Sequence, residues 1–68
     1  MKKNHCLIMS FLLNKRKINS EPVKTREIAD AIGLTIYQAR QQLEYLQKYG
    51  LVERVALGRG RSALWRVY

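Results

Sequence analysis

The sequence predicts a mainly α fold with a small β-hairpin: a winged helix-turn-helix of three helices and a two-stranded wing. Three observations predict it. Two helical patterns are separated only by Gly33, Leu34 and Thr35, and a Gly-containing turn that short forces the helices to cross steeply. After Gly50 the helical spacing gives way to runs rich in Val, Leu and aromatic residues, the composition of strands. Those runs, "LVERVAL" and "SALWRVY", flank the tip "GRGR", as in an antiparallel hairpin with a Gly-rich turn.

Sixty-eight residues make one domain, residues 1–68, near the lower size limit for folding without disulfides or metal. A small sheet closing the open side of the helices helps so short a chain bury enough surface. The lone Cys6 forms no intramolecular disulfide, and no Cys/His cluster has metal-ligand spacing, so no metal or cofactor is expected. Cys6 stands among Leu7, Ile8 and Met9 and is expected to be a small core residue. His5 is expected to be a frayed residue at a helix start. The cysteine usage fits a reducing cytoplasm, here at the nucleoid. The opening "MKKNHCLIMSFLLNKRK" superficially resembles a signal peptide. Its apolar run is short, contains Ser10 and leads into Asn14-Lys15-Arg16-Lys17 instead of a cleavage site. It also falls far below the ~20 apolar residues that span a bilayer. A core helix is expected there, and no membrane association.

Along the chain, residues 4–16 space Ile8, Phe11 and Leu12 for a helix with a wide buried face. The polar stretch Lys17 to Lys24 reads as a loop, with Val23 available for a short strand contact. Thr25 suits an N-cap, since its hydroxyl can accept from an orphan amide. The helix "REIADAI" then sets Ile28, Ala31 and Ile32 on one face and ends at Gly33, the expected left-handed stop. Thr35 opens "TIYQ", a Thr-x-x-Gln capping box, and the third helix runs over 36–49 to Gly50. The hairpin follows, with its tip at 57–62, and Trp65 and Tyr68 are expected to pack in the core and cover the hairpin.

Thirteen Lys and Arg against five Asp and Glu leave a net charge of +8, which implies attraction to a polyanion. The distribution on the third helix says which kind. At about 100° per residue, Ile36, Ala39, Leu43 and Leu46 form one stripe that faces the core. Tyr37, Gln41, Glu44 and Lys48 lie opposite, flanked by Gln38 and Arg40. A generic solvated face would carry Glu/Lys pairs, whereas the first two turns here carry Tyr, Gln, Arg and Gln. They occupy the N-terminal part of the helix, the part of a recognition helix that reaches base edges in the major groove. Gln pairs with adenine, Arg with guanine, and Tyr meets a thymine methyl or a phosphate. Tyr37, Gln38, Arg40 and Gln41 are therefore the candidate base readers on double-stranded DNA. The Thr35 hydroxyl and the amides beside it make a phosphate seat, and Lys24, Arg26 and Lys48 are candidate backbone contacts. Glu44 either accepts from a cytosine amine or stays clear of the DNA. At the hairpin tip, Arg59 and Arg61 are expected to enter a minor groove or hold phosphates, in preference to serving only as soluble turn residues.

No catalytic constellation or phosphate loop appears, so no enzymatic activity is expected. The competing reading is a winged-helix adaptor whose basic face docks on an acidic protein. Double-stranded RNA suits the helix less, because A-form geometry closes off the major groove. A lone module of this size buries only ~600–1,000 Å² on DNA, so selective binding calls for a second DNA-bound protein that raises effective concentration. No heptad or additional helix offers a dimer seam, and the free chain is expected to be a monomer.

"EIADAIGLTIYQARQQLEYLQKYGLVER" followed by "LGRGRSALW" resembles the FaeA/PapI-type regulators of fimbrial operons, including PefI-like members, which are short winged helix-turn-helix proteins. The resemblance covers about residues 25–67. Its more specific parts are "YQAR" at Tyr37 to Arg40, and Leu57, Arg59 and Gly60 with the later Trp65. It implies a bacterial transcriptional regulator of fimbrial gene expression, acting with the leucine-responsive regulatory protein near methylatable GATC sites to set phase variation. It also implies that Tyr37, Gln38, Arg40 and Gln41 read DNA, supported by Arg59 and Arg61.

Overall fold

A computed structural model describes residues 3–18, 21–55 and 63–68. The hairpin tip 57–62, with Arg59 and Arg61, lies outside the described residues. In chain order the elements are α1 (Lys3–Ile18), β1 (Val23–Lys24), α2 (Thr25–Ile32), α3 (Ile36–Lys48), β2 (Val52–Val55) and β3 (Leu64–Val67). The strands form one antiparallel sheet in the order β1-β3-β2. This is the winged helix-turn-helix that the sequence predicts, with Val23 making the anticipated strand contact opposite Trp65. Glu53 and Arg66 face each other across β2 and β3 and form an ion pair at 2.5 Å.

The first helix is longer than the expected 4–16. It continues through Lys17 and Ile18, and Lys15, Arg16 and Lys17 fill its last turn. Three cations there complement the negative end of the helix dipole, which offsets the weak apolar signal of that turn. Its buried line is His5, Ile8 and Leu12. His5 is thus no frayed residue: it is 3% exposed and stacks on Tyr45 of α3 at 4.4 Å between ring centroids. Cys6 is exposed rather than buried. It sits about 100° round the helix from His5, and the His5–Ile8–Leu12 line claims the inward face.

Two further expectations are corrected around α2. Its N-cap position is Lys24, with no side-chain cap, and Thr25 is already helical. The Thr25 hydroxyl turns inward, donating to the Ala63 carbonyl at 3.1 Å and accepting from the Trp65 indole N–H at 2.8 Å. A buried indole nitrogen needs an acceptor, and that need outweighs capping. Ala29, not Ala31, joins Ile28 on the buried face, with Ile32 half-buried and Ala31 exposed. Over eight residues the inward stripe is narrow, and Ala31 falls on its far side.

Both glycine stops behave as expected. Gly33 has φ 82° and Gly50 φ 75°, values that any side chain other than glycine's strains to adopt. After α3, the Gly50 N–H donates to the Gln47 carbonyl and the Leu51 N–H to the Leu46 carbonyl, which satisfies the open end of the helix in the Schellman pattern.

The three helices and the sheet meet in one core: Ile8 and Leu12, Val23, Ile28, Leu43 and Leu46, Val52, Trp65 and Val67. Trp65 is completely buried, as expected, whereas Tyr68 is 66% exposed and does not cover the core. Its carbonyl instead accepts a hydrogen bond from Arg16 Nη1, tying the residue after β3 to α1.

Candidate nucleic-acid interface

The site is built on α3, and its start is fixed by the predicted capping box. The Gln38 N–H donates to Thr35 Oγ1 at 3.0 Å, and the Thr35 N–H donates to Gln38 Oε1 at 3.1 Å. Two of the amides that every helix start leaves without an internal partner are thereby satisfied. Preceded by the Gly33 turn, this reciprocal pair sets the angle at which α3 leaves α2.

From there the helix divides into two faces. Ala39, Leu43 and Leu46 are fully buried and hold the helix against the core. Ile36, expected on the same stripe, is 50% exposed. Side chains lean toward the N-terminus of their helix, so a first-turn residue projects past the last layer it could pack on. On the other side Tyr37 is 83% exposed, and Gln38, Arg40, Gln41, Glu44 and Lys48 are exposed with it. Tyr37, Arg40, Gln41 and Glu44 together line a shallow open depression of about 300 Å³. Three of the four candidate base readers therefore converge on one concavity.

Gln38 stands apart. Its amide oxygen is engaged by the Thr35 N–H, and the bidentate adenine contact needs both an acceptor and a donor from one amide. While the cap is intact, one lone pair of that oxygen is occupied, leaving the Gln38 NH2 and a second lone pair to face a ligand. Arg40 is also engaged, through Nε–H to Glu44 Oε2 at 3.4 Å. The i,i+4 spacing signals this pair in the sequence; treating each side chain of the face as a separate DNA contact overlooks it.

The flanking cations fall into two groups. Lys15 and Arg66 are held by Glu27 and Glu53 in ion pairs of 2.8 and 2.5 Å. Lys24, Arg26 and Lys48 are exposed and make no ion pair among the described residues. Carboxylates thus neutralise part of the cationic surface and leave the three candidate backbone contacts uncompensated. Among the described residues there is no cluster of His, Cys, Asp or Glu that could hold a metal, and no helix long and apolar enough to cross a membrane.

Comparison with solved structures bears on the fold alone. The PcaV transcriptional regulator from Streptomyces coelicolor, determined in complex with its natural ligand, superposes with a TM-score of 0.81 at 17% identity. That match takes in all of this chain and 45% of the other. The zinc-responsive MarR family member ZitR from Lactococcus lactis gives 0.79 at 17% identity, over all of this chain and 44% of its own. The chain thus spans under half the length of either structure.

Sequence comparison is more specific. The F1845 fimbrial adhesin operon regulatory protein DaaF of Escherichia coli is 38% identical over 69 residues, covering 88% of this chain and 91% of DaaF. The Dr hemagglutinin AFA-III operon regulatory protein AfaF of Escherichia coli shows the same identity over 88% of this chain and 80% of its own. A major pilus subunit operon regulatory protein of Escherichia coli is 50% identical over 42 residues, 62% of this chain and 54% of its own. The profile of the family described as FaeA-like protein matches residues 2–68, so the likeness extends through α1 as well as the elements that follow it, and the chain belongs to the FaeA-like family.

Proposed function

We propose that this protein is a sequence-specific DNA-binding transcriptional regulator of a bacterial fimbrial operon. In this reading α3 enters the major groove, and Tyr37, Arg40 and Gln41 read base edges, with Gln38 contributing its amide NH2. Thr35, Lys24, Arg26 and Lys48 hold phosphates, and Arg59 and Arg61 of the wing reach the backbone or the minor groove. The observation that carries it is the convergence of Tyr37, Arg40 and Gln41 on one exposed depression in the first half of α3. Side chains that hydrogen-bond and stack gather where a recognition helix meets bases. The net charge of +8 supplies the sequence-independent attraction to phosphate. Relatives named as fimbrial operon regulatory proteins point to the same kind of target. Nothing in this mechanism requires enzymatic chemistry.

Recognition by one module of this size is weakly selective, so the regulator acts beside a second DNA-bound protein. The leucine-responsive regulatory protein is the proposed partner, with phase variation as the outcome. The protein works in the cytoplasm, at the nucleoid. An isotope-labelled sample titrated with duplex from upstream of a fimbrial operon tests the DNA reading. Amide shifts are expected on residues 35–41 and 58–61. Absence of any shift with any duplex, together with shifts on the same face with an acidic protein, would establish the adaptor reading in its place. Gel shifts with and without the leucine-responsive regulatory protein test the partner; equal affinity and selectivity in both would remove it.

A further inference from the structure

The carboxylate of Glu44 lies within the face proposed to meet DNA, among Tyr37, Arg40 and Gln41. An anion there repels every phosphate that approaches, so its presence calls for a reason. Helix stability does not provide one. The side chains of Arg40 and Glu44 are about half exposed, where ion pairs contribute little, and Arg preceding Glu is the less favourable order along a helix.

Geometry provides a better reason. Arg40 donates to Glu44 through Nε, which leaves the Nη1/Nη2 end of the guanidinium unused by Glu44. That end carries the two parallel donors that match O6 and N7 of guanine. An arginine without such a tether is a flexible cation that can swing to the nearest phosphate of any sequence, and phosphate contacts carry no sequence information. Resting on the DNA-reading proposal above, we infer that Glu44 is a positioning residue for specificity. It holds Arg40 through Nε so that the guanidinium end is presented to a guanine, and its charge lowers affinity for DNA lacking that guanine. Selectivity here comes from a repulsive element as well as an attractive one.

The test uses the full chain and duplexes that the wild-type protein recovers from a randomised pool. Recovered sequences are expected to contain a guanine whose replacement weakens the wild type by roughly tenfold or more, and Arg40→Ala is expected to abolish that discrimination. Glu44→Ala is expected to retain less than half of it on a logarithmic scale while binding an unrelated duplex more tightly than wild type. Glu44→Gln keeps an acceptor for Nε without the charge; it is expected to preserve most of the guanine discrimination and still to bind the unrelated duplex more tightly. Glu44→Ala added to Arg40→Ala is expected to change guanine discrimination no further. The inference is overturned if Glu44→Ala leaves discrimination at that guanine unchanged, or if Glu44→Gln loses as much as Glu44→Ala. A preference that changes at a different base pair also overturns it, because Glu44 would then be reading a base directly. Recovery of no sequence by the wild type would instead remove the DNA reading itself.

Discussion

The Trp65 indole N–H donates to the Thr25 hydroxyl at 2.8 Å, joining two residues 40 positions apart. The same hydroxyl donates to the Ala63 carbonyl, and the Thr25 N–H reaches that carbonyl at 3.2 Å. One threonine therefore fastens the start of α2 to β3 and supplies the acceptor that a fully buried indole requires.

Thr25→Val is accordingly expected to destabilise the fold by about 1–3 kcal/mol, since it leaves the Trp65 N–H buried without a partner. Thr25→Ser keeps the hydroxyl and is expected to recover most of that loss. Urea denaturation followed by tryptophan fluorescence measures both, and equal stability of the valine variant and the wild type would show that the bond contributes nothing net.

The capping box gives a second stability expectation. Thr35→Ala removes the acceptor for the Gln38 N–H and is expected to cost about 1 kcal/mol. It leaves the other half of the box, from the residue 35 N–H to Gln38 Oε1, without its reciprocal bond, so fraying should appear as faster amide hydrogen exchange confined to the first turn of α3. Exchange that accelerates uniformly along the helix would instead mark Thr35 as a support of the whole element.

Burial separates two residues that the sequence assigns to one stripe. Leu43→Ala empties a fully buried site and is expected to cost about 2–5 kcal/mol. Ile36→Ala, half exposed, is expected to cost about 1 kcal/mol or less, since most single changes away from buried sites are small. Thermal unfolding of the two variants side by side decides the matter; comparable losses would place Ile36 in the core after all.

Under the proposed function, base readers and charge contacts respond differently to substitution. Gln41→Ala is expected to relax base preference by ~1–3 kcal/mol at one position. Arg59→Ala is expected to weaken all sequences together and to reduce the slope of log affinity against log salt by about 0.9, the change that follows when one phosphate is no longer neutralised. Fluorescence anisotropy at several salt concentrations distinguishes them, and a sequence-dependent loss for Arg59→Ala would reassign the wing to base or groove readout.

Much of the fold was legible because its signals are local. The Thr35–Gln38 box, the glycine stops at 33 and 50, and the change of period after Gly50 each depend on a few adjacent residues, and each stands in the structure as read. The convergence of Tyr37, Arg40 and Gln41 follows from helical spacing alone. Misread positions share a different property. Thr25 looks like a cap until Trp65 arrives from the far end of the chain, and His5 looks frayed until Tyr45 of α3 stacks on it. Cys6 and Ala31 are apolar enough for a core, but which of several apolar residues turns inward depends on the neighbours that the helix meets.

Secondary structure, the sharp turn between α2 and α3 and the polar face of α3 thus arise from backbone stereochemistry and side-chain period, which act within one or two turns. Partnering of buried polar groups and the inward line of α1 arise only once elements distant in the chain are packed at their final spacing. Hydrogen bonds and stacking act over a few ångströms in space, and chain order by itself does not say which groups will come that close.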